Sequence, residues 1–376
     1  MTRKKLIQFL GIIILTTGGQ AVLASTPDLN SEMQDAAKTL TNLMPYIYND
    51  TAFRDKQNQP QIEQNISKLI QIIEDTPKLL DKHAVTMQIS QQSLLDALTQ
   101  ARTLYKTGSY ATSQYLLSGV PIVCSSCHIQ DGRPSVLNLS LDRSTFANEY
   151  SFAEFNYYLR NYEQAQVSYE QYLEKPSIQK SRIQSRKTLE RLLDIALITT
   201  ANEHAAKSML EKAQELKKLD NDTKQVIQQW LNGIAGLSFT TPSLDELEQS
   251  IYRSFDEQFT LEHEFIFQEE NRPKALLWRK QLHQNLRAEH SAKDTGRALY
   301  LLSILERALG DQIDLSLAHL YLKECINLKV KPYSGKCLNE YENHLYFYYG
   351  GSSGEHLPAE IQQELQTLKQ NALPDS

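Results

Sequence analysis

Three residues with ligand chemistry stand close together in "PIVCSSCHIQ", residues 121–130. Cys124, Cys127 and His128 follow the order C-x-x-C-H, which suits three kinds of chemistry. Two thiols and the next imidazole can attach a haem covalently and ligate its iron. Two thiols alone can form a redox dithiol, and thiols with an imidazole can bind zinc.

Helical geometry favours the haem among these three. At about 100° per residue, Cys127 lies about 60° around a helix from Cys124, and His128 lies within about 40° of it, so one face carries all three. A thioredoxin-like dithiol belongs after a buried strand, whereas the residues before Cys124 are helical in character. Zinc needs a second close ligand pair, and the other cysteines stand far along the chain at 325 and 337. We expect one haem c, with Cys124 and Cys127 as covalent anchors and His128 as the proximal iron ligand.

Four amphipathic helices are predicted to position this motif. Apolar residues recur at helical spacing in four segments between Ser31 and His128, with short polar connections such as "NDTAFRDKQNQP" between them. The four stripes are Met33, Ala37, Leu40, Met44; Ile62, Ile66, Leu69, Ile73; Leu94, Leu98, Ala101, Tyr105; and Leu116, Val120, Val123, Cys127. They predict an antiparallel four-helix bundle over residues 25–140. Gly119 and Pro121 are expected to interrupt the fourth helix, and Pro121 is a candidate first residue of a separate haem-bearing helix.

This arrangement resembles the class II cytochromes c, which are four-helix bundles with the haem motif near the C-terminus. The resemblance covers about residues 29–133. It rests on the C-x-x-C-H motif at the end, on "LMPYI" closing the first helix and on "QIEQNISKL" opening the second.

The resemblance also implies a distal iron ligand on the first helix. Alignment of the family's helix-one proline with Pro45 implies Met33 as that ligand, with Met44 as second choice. His83, Met87 or an open iron site are the remaining alternatives. Arg133 is a candidate partner for a haem propionate.

The N-terminal segment, residues 1–24, predicts export. A basic start (Arg3, Lys4, Lys5), an apolar run from Leu6 to Leu15 and the ending "AVLA" indicate a signal peptide cut after Ala24, and therefore a periplasmic protein. No later apolar run is long enough for a transmembrane anchor after cleavage. Removing the three basic signal residues leaves 36 Lys and Arg against 45 Asp and Glu, a net charge of −9. Such an acidic chain is a poor nucleic-acid binder.

Residues 148–376 predict a second, helical domain. The segment "SFAEFNYYLRNYEQAQVSYEQYLEKP" resembles a tetratricopeptide repeat, in which small residues allow two helices to approach closely. The positions that carry the resemblance are Ala165, Tyr169, Tyr172 and Pro176, then Ala206, Leu210 and Ala213, and then Ala318, Leu322 and Cys325. Their offsets exceed the 34-residue period, so the repeats are degenerate or interrupted. An irregular all-α domain is the alternative. The predicted chain is all-α, with a haem-carrying four-helix bundle followed by a tetratricopeptide-like helical-repeat array.

Local patterns in this second domain give three further predictions. In an exported chain Cys325 and Cys337 should form a disulfide between two helices, worth about 3 kcal/mol for a loop of that length. Ser243 and Glu246 form a capping box that begins a helix. The isolated pair His283 and His290 lacks a third ligand, so we expect surface or interface histidines.

Electron transfer is the function that these features favour. It needs a haem edge near the surface and a tuned potential rather than an acid or base, and the sequence contains no catalytic constellation, so a binding or electron-transfer protein is favoured over an enzyme. A redox partner or peptide would dock on the array. One alternative is a haem-based gas or redox sensor with an open distal site. The other is a helical-repeat scaffold with a redox dithiol and no haem. The resemblance is also compatible with a homodimer, because class II bundles often dimerise.

Overall fold

The computed structural model describes the chain as helices over most of its length. The described residues are 29–75, 85–130, 141–146, 148–159, 161–175, 182–235, 237–240, 242–254, 268–286, 291–309, 315–351, 354–355 and 357–372. They form sixteen α-helices and one antiparallel pair of two-residue strands, β1 (Gly350–Gly351) and β2 (Gly354–Glu355). This confirms the predicted all-α class. The predicted signal peptide lies outside the described residues, as do His83 and Arg133.

Five of the described helices make up the N-terminal region. They are α1 (Leu29–Ile47), α2 (Asp50–Arg54), α3 (Gln59–Asp75), α4 (Val85–Lys106) and α5 (Tyr110–Gln130). Their buried faces follow the predicted apolar stripes, because each stripe turns one side of its helix away from water. Leu40, Met44, Ile62, Ile66, Leu69, Ile73, Leu94, Leu98, Ala101, Tyr105 and Val120 are buried, and Met33, Ala37 and Leu116 are partly buried.

The short helix α2 lies in a stretch that we expected to be a plain polar connection, so that prediction was wrong. Asn49 caps the helix by accepting a hydrogen bond from the Ala52 backbone N–H at 3.1 Å. Phe53 is fully buried against the edge of Tyr105, with ring centroids 5.0 Å apart. A single apolar residue has no periodicity, and hydrophobic spacing therefore cannot reveal such a helix.

Side-chain hydrogen bonds establish the relative directions of α1, α3 and α5, while the short connection from Lys106 to Tyr110 turns α5 back along α4, so these two run antiparallel. Gln114 in α5 donates to the carbonyl of Ile47 at the end of α1, at 2.8 Å. Gln59 at the start of α3 donates to the hydroxyl of Tyr110 at the start of α5, at 2.6 Å. Helices α1 and α5 therefore run antiparallel, and α3 and α5 start at the same end. We call the end at which Ile47, Gln59 and Tyr110 lie the α2 end. The opposite end, toward which α5 runs, is the motif end. Helix α1 packs on α3 and α5, α3 on α4, and α4 on α5.

The remaining described helices form the C-terminal region. They are α6 (Glu149–Tyr158), α7 (Tyr162–Glu174), α8 (Arg182–Asp194), α9 (Glu203–Gln214), α10 (Asn221–Ile234), α11 (Leu244–Ser254), α12 (Arg272–Asn285), α13 (Ala292–Leu309), α14 (Leu315–Asn327), α15 (Tyr333–Tyr349) and α16 (Ala359–Ala372). A π-helical turn, Ile195–Thr199, continues α8. Sequential helices pack together, notably α6 with α7, α9 with α10, and α13 with α14. The nine described repeat-like positions are all buried: Ala165, Tyr169, Tyr172, Ala206, Leu210, Ala213, Ala318, Leu322 and Cys325.

The two regions are packed against each other. Helix α14 contacts α4, and α12, α6 and the π-helical turn contact α5. Between the regions, the buried ring of Phe146 lies 6.2 Å from that of Tyr48 at the end of α1. The same ring lies 5.1 Å from Phe155 and 5.4 Å from Phe152, both in α6. An aromatic cluster therefore joins the α2 end of the N-terminal region to the first helix of the C-terminal one.

The capping-box prediction is confirmed. The Ser243 backbone N–H donates to a Glu246 carboxylate oxygen at 2.7 Å, and the Glu246 N–H donates to the Ser243 hydroxyl at 3.3 Å. Cys325 in the last turn of α14 forms a disulfide with Cys337 in α15, with Cα atoms 6.2 Å apart. The surface prediction was wrong for His283, which is buried, with its ring 6.0 Å from that of Tyr321 in α14. His290 lies outside the described residues.

Candidate functional site

The C-x-x-C-H motif lies near the C-terminal end of α5, which runs as one helix from Tyr110 to Gln130. The expected interruption at Gly119 and Pro121 was therefore wrong. Pro121 removes one backbone hydrogen bond from the helix, but both residues are buried against neighbouring helices that hold the turn in place. The structure describes the backbone of residues 122–130 and not their side chains.

The register of α5 relates the motif to the packed face of the helix. Ser113, Leu117 and Val120 are buried at successive spacings of four and three. Continuing the same alternation of four and three leads to positions 124 and 127. Both cysteines of the motif therefore occupy register positions on the stripe that the rest of α5 buries, and His128 directly follows the second of them.

The hydrogen bond between Gln114 in α5 and Ile47 in α1, which we call the α1–α5 cross-link, shows how far along the two helices Met33 and His128 lie. Gln114 donates to the Ile47 carbonyl, and the interval from Gln114 forward to His128 equals the interval from Ile47 back to Met33. At about 1.5 Å of rise per residue, each of the two lies about 21 Å from the cross-link, toward the motif end. A crossing angle of about 20°, common in helix bundles, changes this length by only about 1 Å. Met33 and His128 therefore share one level.

Met44 lies elsewhere in the same helix. It follows Met33 by about three helical turns, which is about 16 Å toward the α2 end. Its side chain is fully buried in the core. The structure therefore brings Met33, and not Met44, to the level of the motif.

The first turns of α1 lie outside the packed core. None of residues 31–38 is buried, whereas Leu40, Leu43, Met44 and Ile47 further along the helix pack into the core. By the same cross-link, Ala37 stands at the level of Cys124. Two thiols, an imidazole and a thioether form a donor set that would suit a haem held from α5, and the small side chain of Ala37 and the unburied start of α1 are compatible with it.

Of the other candidate ligands, the structure describes only the backbone of Met87. It lies in the first turn of α4, at the motif end. Sequence patterns alone cannot relate Met87 to His128, because the relation depends on which residues of α4 and α5 stand side by side.

A second group of titratable residues was not foreseen. Glu340 and His344 are buried, and Nε2 of His344 lies 3.7 Å from Oε1 of Glu340. Glu340 also pairs with Arg307, and the ring of His319 lies 5.2 Å from that of His344. Burial, aided by the Arg307 charge, lowers the pKa of His344 to about 2, and burial lowers the pKa of His319 to about 4. Both histidines are therefore neutral at physiological pH, and only the i,i+4 spacing of Glu340 and His344 is visible in the sequence.

Two negative findings hold for the part of the chain that the structure describes. No group of three or more His, Cys, Asp or Glu side chains there converges to hold a metal ion. Among the same residues, no helix combines the length and apolar character needed to cross a membrane.

No known protein family, curated protein sequence or solved structure matches this chain. A function is therefore argued from the chain's own residues and their geometry.

Proposed function

We propose that this chain is a monohaem c-type cytochrome whose N-terminal domain, residues 25–140, is a class II-like four-helix bundle. Cys124 and Cys127 anchor one haem c, His128 is the proximal iron ligand and Met33 the distal one. The observation that carries the proposal is the shared level of Met33 and His128, on antiparallel helices cross-linked at an equal sequence interval from each.

The proposed role is electron transfer. When bound, the haem supplies a one-electron redox centre, and the protein has to orient it, exclude water and fill both axial positions. Four residues suit those tasks. The two cysteines would attach the ring to α5, and His128 and Met33 would bind the iron. Methionine–histidine ligation raises the reduction potential, which suits a carrier more than an oxygen-activating enzyme.

The second domain, residues 148–376, is proposed to be a tetratricopeptide-like array on which a redox partner or peptide docks. The burial of all nine described repeat-like positions supports the repeat interpretation. Exposed Val167 and Ile183 on the adjacent helices α7 and α8 offer apolar surface to a partner. The array also packs on α4 and α5, so a partner bound there would be held at a set distance from the haem.

Export to the periplasm remains part of the proposal. The buried disulfide between Cys325 and Cys337 supports it, since such bonds persist in oxidising compartments. Size-exclusion chromatography tests separately for a homodimer. The C-terminal region already packs on α4 and α5, so these contacts would compete with a second copy of the chain for the same faces of the two helices.

The proposal is tested by producing the chain in a host that attaches c-type haem. The intact mass should rise by one haem, and the reduced protein should have a sharp low-spin spectrum that carbon monoxide does not change. A variant with Cys124→Ala and Cys127→Ala should lose the added mass. A matched control with Ser125→Ala and Ser126→Ala, in the same part of α5, should keep it.

Other outcomes distinguish the two alternatives. A covalent haem with a high-spin spectrum that shifts with carbon monoxide would replace electron transfer by the gas or redox sensor. Absence of haem from the mature wild-type chain, combined with a reversible thiol–disulfide couple, would replace it by the dithiol scaffold.

A further inference from the structure

A second thioether donor stands at the level of the proposed haem. The Ser113 hydroxyl in α5 donates to the Ala101 carbonyl in α4 at 2.8 Å, which links these two antiparallel helices near the α2 end. The interval from Ser113 forward to His128, when counted back from Ala101, ends at Thr86. Met87 follows it directly. At about 1.5 Å of rise per residue, Met87 therefore lies within about 2 Å of the level of His128 along the bundle.

An independent pair of hydrogen bonds tests this register. Gln91 in α4 donates to the Ile73 carbonyl in α3, and Gln59 in α3 donates to Tyr110 in α5. Because α3 and α5 start at the same end, Ile73, 14 residues after Gln59, lies level with position 124, 14 residues after Tyr110. Gln91, which is bonded to Ile73, should lie at that level too. By the Ser113–Ala101 bond, Gln91, ten residues before Ala101, lies level with position 123, ten residues after Ser113. The two routes differ by a single position, so the relative heights of α3, α4 and α5 are consistent.

Met87 also occupies the register of the buried face of its helix. The buried residues Leu94, Leu98 and Ala101 follow it at i+7, i+11 and i+14. Leu40, Met44 and Ile47 follow Met33 at the same three intervals, and these are buried as well. Such intervals return to one side of an α-helix. The two methionines therefore hold equivalent positions on α1 and α4, two helices that pack on α5 within the N-terminal region.

We propose that Met33 and Met87 are alternative distal ligands of the same haem iron, one bound at a time. The proposal rests on the proposed function and extends it. With a haem bound, an exchange would replace one thioether ligand of the iron by the other, with no change in the number of electrons or protons. Each methionine then protects the iron from external ligands when the other is displaced.

The test uses leucine substitutions, which conserve volume and apolar character so that the bundle still folds. The full-length, haem-loaded proteins compared are the wild type, Met33→Leu, Met87→Leu, the double variant and Met44→Leu. Met44 is a matched control because it is a buried methionine about 16 Å from the ligand level. The readouts are the spin state by absorption spectroscopy and carbon monoxide binding to the reduced protein.

We expect both single variants to keep a six-coordinate low-spin iron that does not bind carbon monoxide, with a small shift of the spectrum. The double variant should lose the low-spin spectrum and gain carbon monoxide binding, while Met44→Leu should match the wild type. A high-spin spectrum in either single variant would overturn the exchange and leave the proposed cytochrome intact. A low-spin double variant would overturn it too, since another residue would then be the ligand. A wild-type chain without covalent haem would overturn the proposed function itself.

Discussion

Replacing Phe146 with alanine should separate the two regions of the chain. The Phe146 ring is buried, and it contacts Tyr48 of the N-terminal region and Phe155 of α6. Since this one ring lies between the regions, its loss removes packing from both and leaves a cavity at their junction.

The magnitude follows from the ring's burial. Truncation of a buried phenylalanine costs about 3–5 kcal/mol of unfolding free energy, because transfer energy is lost and a cavity remains. The Tyr48–Phe146 pair alone should contribute about 1 kcal/mol, the usual coupling of an aromatic pair. A double-mutant cycle with Tyr48→Leu and Phe146→Ala isolates that coupling.

The assay is urea unfolding followed by two probes. Circular dichroism reports all helices, whereas tryptophan fluorescence reports only the C-terminal region, because Trp230 and Trp278 are the only tryptophans in the sequence. The two curves should coincide in the wild type and separate in Phe146→Ala, with a lower midpoint. Phe347→Ala is the control, because that ring is 76% exposed and its loss should change the unfolding free energy by less than about 0.5 kcal/mol. If Phe146→Ala behaves like Phe347→Ala, the packed junction is not what couples the regions.

Three further predictions concern the C-terminal region. Replacing Cys325 and Cys337 with alanine should lower the unfolding free energy by about 3 kcal/mol in thermal unfolding, because an open chain has more entropy than a closed 12-residue loop; an unchanged melting temperature would contradict this. Burial lowers the pKa of His344 to about 2, so below about pH 6.5 the unfolded chain binds more protons than the folded one. The contribution of His344 to the unfolding free energy is therefore full above that pH and falls with acid. Urea unfolding at pH 7 and pH 5 should show a smaller loss of unfolding free energy for His344→Gln than for the wild type. Gly233→Ala should lower the unfolding free energy by about 1–3 kcal/mol or more, because the new Cβ would lie 1.8 Å from the backbone oxygen of Glu270. Gly335→Ala, in open space within α15, should raise it by about 0.5–1 kcal/mol. Equal effects of the two substitutions in urea unfolding would refute the packing argument.

Periodic features of the fold were accessible from the sequence. The apolar stripes located all four long N-terminal helices, since burial recurs with the helical period. The Ser243–Glu246 box located the start of α11, because a cap needs only two residues at a fixed short spacing. Non-periodic features were not accessible: Phe53 is one apolar residue in a polar stretch, and its helix α2 depends on packing against Tyr105.

The candidate site was accessible only in part for a related reason. The motif is local, so residues 124–128 could be recognised in the sequence, whereas the level of Met87 depends on a hydrogen bond between Ser113 and Ala101. The continuity of α5 through Pro121 was misjudged because proline usually ends a helix, and only the packing of neighbouring helices shows why it does not do so here. Likewise, His283 reads as a polar residue and is buried by helices distant in sequence.

The central claim is tested most directly by the intact mass and the reduced absorption spectrum of the wild-type protein, produced with a c-type haem attachment system and measured with and without carbon monoxide. We predict one covalent haem per chain and a low-spin spectrum that the gas leaves unchanged. A mature protein with no added haem mass would contradict the proposed cytochrome, whatever the thiol chemistry of Cys124 and Cys127 then proves to be.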